Sequence, residues 1–82
     1  MMLYLFKAER MSAMLLDEVV QGIEDQRRGF VYKHGVTRGV ANMLVEATPA
    51  NVDAIRAMFR DQNGGAYCEA QAMSEQVLDE YL

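Results

Sequence analysis

The chain has 82 residues, with 12 acidic against 8 basic side chains and a net charge of −4. This length predicts one domain, residues 1–82, and this charge argues against nucleic acid as a partner. No apolar run approaches the roughly 20 residues that span a bilayer, so we expect no membrane association. Cys68 is the single cysteine, which rules out an internal disulfide and favours a cytoplasmic location. The single histidine, His34, has no nearby Cys or His partner, and we expect no metal and no cofactor.

The first part of the chain predicts a strand and an amphipathic helix. Residues 2–8 are apolar on both alternating faces, which is typical of a strand that is covered on both sides. Ser12 offers an N-cap for a helix, and Gly29 can end it after the pair Arg27-Arg28. The apolar stripe of this helix consists of Leu15, Leu16, Val19, Val20 and Ile23.

A hairpin is predicted next. Residues 30–33 favour a short strand, and residues 34–39 contain two glycines that permit a tight reversal. Residues 40–47 form the following strand. We place His34 beside the hairpin, on the same strand parity as Phe30 and Tyr32.

The remainder predicts a helix, a strand and a short helical tail. Thr48-Pro49 is typical of a helix start, with a capping hydroxyl and a proline at the first helical position. Residues 63–65, Asn-Gly-Gly, stop this helix. Residues 66–73 alternate as a half-buried strand, and Ser74 can cap a last short helix.

This order predicts an α+β fold of the ferredoxin-like split β-α-β type (βαββαβ), with an antiparallel sheet, two helices on one face and a short C-terminal helix. A chain this short is marginal as a lone monomer, so we expect it to dimerise through the open sheet face. Small side chains on alternate positions of the last two strands predict which side of the sheet faces the helices. The residues on that side are Ala41, Met43, Val45, Cys68, Ala70 and Ala72. The open face would then carry Asn42, Leu44, Glu46, Tyr67, Glu69 and Gln71, joined by Tyr4, Phe6 and Ala8 from the first strand.

A glycine-led strand, residues 39–47, passes directly into a helix, residues 48–55, that carries Asp53 and an aliphatic stripe. In this order the chain resembles the dimeric α/β-barrel superfamily, which includes muconolactone isomerases and small cofactor-free monooxygenases. The resemblance implies two sheets packed face to face as a barrel. It also implies a pocket for a small organic molecule, within the barrel or between sheet and helices, and chemistry of the isomerase or monooxygenase type without a cofactor.

Two groups are candidate catalytic residues. Imidazole exchanges a proton readily near neutral pH, which makes His34 a candidate acid–base group. A carboxylate buried by a partner subunit would be a stronger base, which makes Glu69 the second candidate. The candidate ligand-binding residues are Tyr4, Asn42, Tyr67 and Arg38. The alternative for His34 is a solvent-exposed hairpin histidine. The alternatives for the polar residues of the open face are a hydrogen-bonded network at the subunit interface and simple exposure at the sheet edge.

A non-catalytic regulatory or interaction subunit is the alternative function. Residues 26–38 contain Arg27, Arg28, Lys33 and Arg38 and no acid, so they could receive an anionic ligand or an acidic partner. The C-terminal tail, residues 77–82, could bind another protein. The sequence has no nucleophile–base pair, metal set or phosphate loop, which favours this alternative. A nucleic-acid adaptor using residues 27–38 is a third hypothesis, and the net charge disfavours it.

Overall fold

The structure, a computed structural model, describes residues 2–62 and 68–74. Four strands form one antiparallel sheet in the order β2-β3-β1-β4, and with two helices the arrangement is α+β and compatible with a ferredoxin-like fold. The predicted C-terminal helix, the stop at residues 63–65 and the start of the last strand lie outside the described residues. The elements are β1 (Met2–Glu9), α1 (Ala13–Asp25), β2 (Phe30–Thr37), β3 (Val40–Ala47), α2 (Pro49–Gln62) and β4 (Cys68–Met73).

Both helices begin where the sequence predicts. The Ser12 Oγ accepts a hydrogen bond from the Leu15 amide at 3.2 Å, so it caps one of the free amides in the first turn of α1. The Thr48 Oγ1 accepts from the Asn51 amide at 3.4 Å, and Pro49 is the first residue of α2. Both predicted caps are confirmed.

The end of α1 differs from the prediction. The helix ends at Asp25, and Arg27 takes the left-handed backbone conformation, with φ at 53°, that closes the helix terminus. The Arg28 amide then donates to the Ile23 carbonyl at 2.9 Å. The predicted stop at Gly29 is therefore wrong, because the chain has already turned away before it reaches that glycine.

The β2–β3 hairpin is tighter than predicted. β2 continues through His34 and Gly35 to Thr37, and the turn itself contains only Arg38 and Gly39. Their φ angles are 54° and 78°, which is typical of a two-residue type I′ turn. Gly35 does not start the reversal, because it lies within β2 and pairs with Asn42 of β3.

One face of the sheet packs against both helices. The buried core joins β3 residues Ala41, Met43 and Val45 to Ile23 of α1 and Ile55 of α2. Cys68 is buried in the same core and Ala70 packs against it, although Ala72 is exposed at the sheet edge. The predicted parity of β3 is therefore confirmed, and that of β4 holds as far as Ala70.

The predicted parity of β1 is wrong. Phe6 lies opposite Met43 and Ala8 lies opposite Ala41, so this parity, which includes Tyr4, faces the helices rather than the open side. Because β1 is apolar on both parities, alternation of hydrophobicity could not decide which side faces the helices. Only pairing with β3 decides it.

The other side of the sheet, called here the second face, carries its own apolar cluster. Leu3, Leu5 and Leu44 are 4%, 5% and 1% exposed, and Tyr32 and Met73 pack against them. These leucines are already buried within the single chain. Among the described residues, no helix is long and apolar enough to cross a membrane.

Candidate functional site: a cleft on the second face

A cleft of about 340 Å³ opens on the second face beside the β2–β3 hairpin. This volume is at the lower end of the range for small-molecule pockets. Leu5 and Leu44 supply an apolar surface, while Lys33, Thr37 and Asn42 supply polar groups. The described residues that line the cleft are Leu5, Lys33, His34, Gly35, Thr37, Asn42, Met43 and Leu44. An apolar surface with a few polar groups at its margin is the composition expected of a binding site for a small organic molecule.

A β-bulge in β2 determines which side chains reach the cleft. The register between β2 and β3 shifts between Val31 and Lys33, so that Tyr32 is the extra residue. Tyr32 joins the apolar cluster of the second face, and Lys33 lies opposite Leu44 on that same face. Both residues therefore face the same side, which regular alternation does not allow.

The bulge also moves His34 away from its predicted side. His34 pairs with Met43, on the side of the sheet that faces the helices. Its Nε2 lies 3.5 Å from Oδ1 of Asp17 on α1, and its side chain is 37% exposed. The prediction that His34 shares the parity of Phe30 and Tyr32 is wrong, because it assumed a β2 without an extra residue. His34 borders the cleft, but its imidazole contacts a carboxylate of α1.

The register places Asn42 and Glu69 in one row across the second face. Gly35 pairs with Asn42, Asn42 with Lys7, and Lys7 with Glu69, so the row runs from β2 to β4. Asn42 and Glu69 thus share the face that the sequence predicts for them. Lys7 separates them, and two strand spacings correspond to about 10 Å. Glu69 is exposed in the single chain, and only Asn42 of this pair lines the cleft.

The two candidate catalytic residues are not brought together within one chain. His34 is on β2 and Glu69 is on β4, at opposite edges of the sheet, about 14 Å apart across three strand spacings. They also face opposite sides of the sheet. A direct proton relay between them would require hydrogen-bond distance, and one copy of the chain does not supply it.

The other predicted binding residues are also dispersed. Tyr4 is on the helix side, with its ring 6.4 Å from that of Phe6 and its hydroxyl donating to the Met2 Sδ at 3.6 Å. Arg38 occupies the exposed hairpin turn, next to the cleft residue Thr37 but not in the lining. Tyr67 lies outside the described residues.

The basic segment does not form one surface. Arg27 precedes β2 and Arg38 follows it, and eight residues of strand separate their backbones by roughly 26 Å. The Arg28 Nη1 donates to the Asn51 Oδ1 at 3.2 Å, so this guanidinium helps to join the end of α1 to the start of α2. Of the four cations in the segment, Lys33 alone lines the cleft.

Sequence reasoning missed several cleft residues. The sequence does not place Leu5 on the second face, because β1 is apolar on both alternating sides. It places Lys33 in a basic segment and Thr37 in a loop. The dipeptide Arg38-Gly39 is the signal that could have found Thr37 and Gly35. A glycine in the second position fits a two-residue hairpin turn, and a turn of two residues means that β2 extends through Gly35 to Thr37. Nothing in the sequence marks the bulge at Tyr32.

Cys68 is buried, and burial raises the pKa of its thiol to about 11, an effect that nearby Arg56 opposes. The thiolate is the nucleophilic form, so this cysteine is a packing residue. Among residues 2–62 and 68–74, no three His, Cys, Asp or Glu side chains converge in a way that could hold a metal ion.

We expect Cys68 to react with iodoacetamide at pH 8 about 100 times more slowly in the folded chain than in urea, because a pKa about two units higher leaves about 100 times less thiolate. Mass spectrometry of the alkylated protein measures both rates.

The raised pKa of the Cys68 thiol also makes stability depend on pH. Because the folded state disfavours the thiolate, the free energy of unfolding should fall as pH rises from about 9 to about 11. Cys68→Ala should lack this alkaline loss, and equal loss in both proteins would contradict the assignment.

Comparisons with known proteins add no family. No protein-family model matches the chain, and no curated protein matches its sequence. The cleft and its lining residues are therefore the basis of the functional argument.

Proposed function

We propose that this protein binds a small organic molecule in the cleft on the second face. The observation that carries the proposal is the cleft itself, where Leu5 and Leu44 lie beside Lys33, Thr37 and Asn42. The β-bulge supports it, because bulges are over-represented where a strand must redirect side chains at a site. The proposal assigns binding and no reaction. The isomerase or monooxygenase chemistry implied by the dimeric α/β-barrel resemblance is the enzymatic version of the same proposal, without a cofactor.

Gly35→Leu is expected to remove ligand binding without unfolding the protein. Gly35 lines the cleft, and a Cβ built there meets no atom within 4 Å, so a side chain can begin at this position without a clash, and a leucine would compete with the ligand for the cleft. Native mass spectrometry of the purified protein, first gentle and then with collisional activation, should release a small organic mass from the natural sequence and none from the variant.

Gln71→Leu is the matched control for this experiment. Gln71 is exposed on β4, pairs with Leu5 and lies outside the cleft lining. The substitution therefore adds a leucine to the same face of the sheet without placing it in the cleft. Ligand release should persist in this variant. If neither the natural chain nor the control carries or binds any small molecule in a fragment screen by ¹⁵N NMR, the proposal is wrong.

The proposal includes self-association through the second face, as a ferredoxin-like chain of the dimeric α/β-barrel type would do. Phe30 supports it: its side chain is 61% exposed, it pairs with Glu46 on that face, and its ring lies 4.7 Å from that of Tyr32. Leu3, Leu5 and Leu44 are buried, so among the described residues Phe30 is the large exposed apolar side chain on this face that a second copy could cover.

Phe30→Ser is expected to shift the protein from dimer to monomer, because it removes the exposed aromatic anchor. Met14→Ser is the control, since Met14 is 70% exposed on α1, on the other side of the sheet. Light scattering after size-exclusion chromatography, at several concentrations, measures the mass. A monomeric natural chain, or equal effects of both substitutions, would refute association through the second face.

The interaction-subunit hypothesis has less support. The basic segment on which it relied is divided between the two ends of β2, and its second element, the C-terminal tail, lies outside the described residues. A cytoplasmic location is part of the proposal, and the free thiol of buried Cys68 is consistent with it.

A further inference from the structure

A protruding aromatic side chain and the cleft lie on the same face of β2. Phe30, at the start of the strand, is 61% exposed and pairs with Glu46. Gly35 lines the cleft and pairs with Asn42, and a Cβ built there meets no atom within 4 Å. Because Glu46 and Asn42 are four residues apart on β3, roughly 13 Å separates the two features. Phe30 therefore does not fill the cleft of its own chain.

A second copy of the chain can bring the aromatic ring and the cleft together. In a twofold dimer every contact between two different residues is made twice, once in each direction. An axis that lies between two facing sheets, midway between Phe30 and Gly35, places each phenylalanine over the glycine of the other copy. This midpoint is at the level of Leu44, which lies between Glu46 and Asn42 on β3.

The cleft has the size and the lining for one aromatic ring. An apolar cavity of about 150 Å³ accepts benzene, and the cleft has a volume of about 340 Å³ with Leu5 and Leu44 in its lining. With a ring inside, about 200 Å³ remains, which is less than the roughly 300 Å³ of the smallest ligand pockets. The ring of a second copy and a small-molecule ligand therefore exclude each other.

Polar groups are also complementary in this arrangement. The same axis brings Glu46 opposite Asn42 and Lys7 of the second copy, which share one row of the sheet. The amide and the ammonium group are donors, and the half-buried carboxylate, which accepts from the Tyr32 hydroxyl at 3.4 Å, has further acceptor capacity. Lys7 has Glu69 opposite it in its own chain, and the three donors of an ammonium group are sufficient for two carboxylates.

We propose that the cleft of each copy holds Phe30 of the other copy, and that an aromatic ligand displaces this ring and separates the dimer. The inference rests on the proposed function and adds the partner residue and the regulation of the same site. Both clefts of a dimer lose their rings when it dissociates. Ligand at ten times its Kd should therefore raise the dimer dissociation constant about 100-fold, since two clefts are filled for each dimer lost.

Benzyl alcohol is the probe for displacement, because it carries the phenyl ring of phenylalanine on one carbon. ¹⁵N NMR of the Phe30→Ser variant, through the amides of Gly35, Thr37 and Asn42, gives the Kd of the probe at a cleft without a competing ring. Sedimentation velocity of the natural chain at several concentrations then measures the dimer dissociation constant with and without the probe. Ethanol at the same concentration is the control for a general solvent effect. An unchanged dimer with the probe bound in its cleft overturns the inference.

Mixing two variants tests the contact itself. Phe30→Ser lacks the ring and Gly35→Leu lacks the open cleft, so each variant alone should be monomeric. Together they can form one complete contact, between Phe30 of one variant and the Gly35 cleft of the other. Native mass spectrometry of the mixture should therefore show heterodimers. Gln71→Leu is the control, because it adds a leucine to the same face outside the cleft lining and should remain a dimer.

The remaining outcomes separate this inference from the proposed function. A Gly35→Leu chain that dimerises as tightly as the natural chain overturns the inference and leaves both cleft binding and association through the second face standing. A natural chain that is monomeric at every concentration overturns the inference together with the proposed association. Binding in the cleft is then still decided by the release of ligand from the natural chain and not from Gly35→Leu.

Discussion

Phe59→Ala is expected to lower the free energy of unfolding by about 4 kcal/mol, the middle of the range for a buried phenylalanine. Phe59 of α2 and Phe6 of β1 are both 0% exposed, and their rings stack at 6.0 Å between centroids with an interplanar angle of 10°. Truncation leaves a ring-sized cavity against a rigid sheet, which cannot collapse to fill it. A domain of this size has a total stability of roughly 4–12 kcal/mol, so the substitution should remove between about a third and all of it.

Urea denaturation followed by circular dichroism measures this change. Phe59→Leu retains most of the volume and should cost only about 1.5 kcal/mol, which keeps the measurement possible if the alanine variant does not fold. Met14→Ala is the control for truncation of a large exposed apolar side chain, because Met14 is 70% exposed, lies away from the proposed dimer face and should cost less than about 0.5 kcal/mol. Similar losses in the Phe59 and Met14 variants would show that α2 does not pack on β1 as described.

Gly29→Ala is expected to destabilise the fold by about 3 kcal/mol, although it adds a single methyl group. A Cβ at this position would lie 2.7 Å from the Glu46 carbonyl oxygen, 2.9 Å from the Val45 Cγ1 and 3.2 Å from the Ala47 Cβ. The nearest of these is a backbone atom within β3, the second strand from the edge. It cannot withdraw without disturbing the pairing of β3 with β1.

Gly22→Ala tests the same chemical change in a place with room. Gly22 is inside α1, and a Cβ there would lie 3.6 Å from the Met58 Sδ, an ordinary contact with a flexible side chain. Because alanine favours the helix over glycine, this variant should gain about 0.5–1 kcal/mol. Thermal denaturation of both variants measures the two changes in stability, which should have opposite signs. Destabilisation by Gly22→Ala equal to that by Gly29→Ala would contradict the helix packing or the close approach at β3.

The candidate site was only partly predictable. Asn42 and Glu69 share the second face as expected, because β3 and β4 alternate small or apolar residues with polar ones. Tyr4 was placed on the wrong side because β1 is apolar on both parities. His34 was placed on the wrong side for a different reason: the bulge at Tyr32 inserts one residue, and every side chain after it in β2 changes face. No local signal in β2 distinguishes a bulged strand from a regular one.

The sequence by itself determined the local features of the chain, which are the starts of the helices and the buried side of β3. Ser12 and Thr48-Pro49 start the helices, and the alternation in β3 decides its buried side, because hydrogen bonds to the cap and the period of the side chains act over a few residues. The tertiary structure decided the parity of β1, the need for glycine at Gly29 and the joining of Leu5, Lys33 and Asn42 into a cleft. Each of these depends on which residue of a distant strand lies opposite, and pairing register is a property of the assembled sheet.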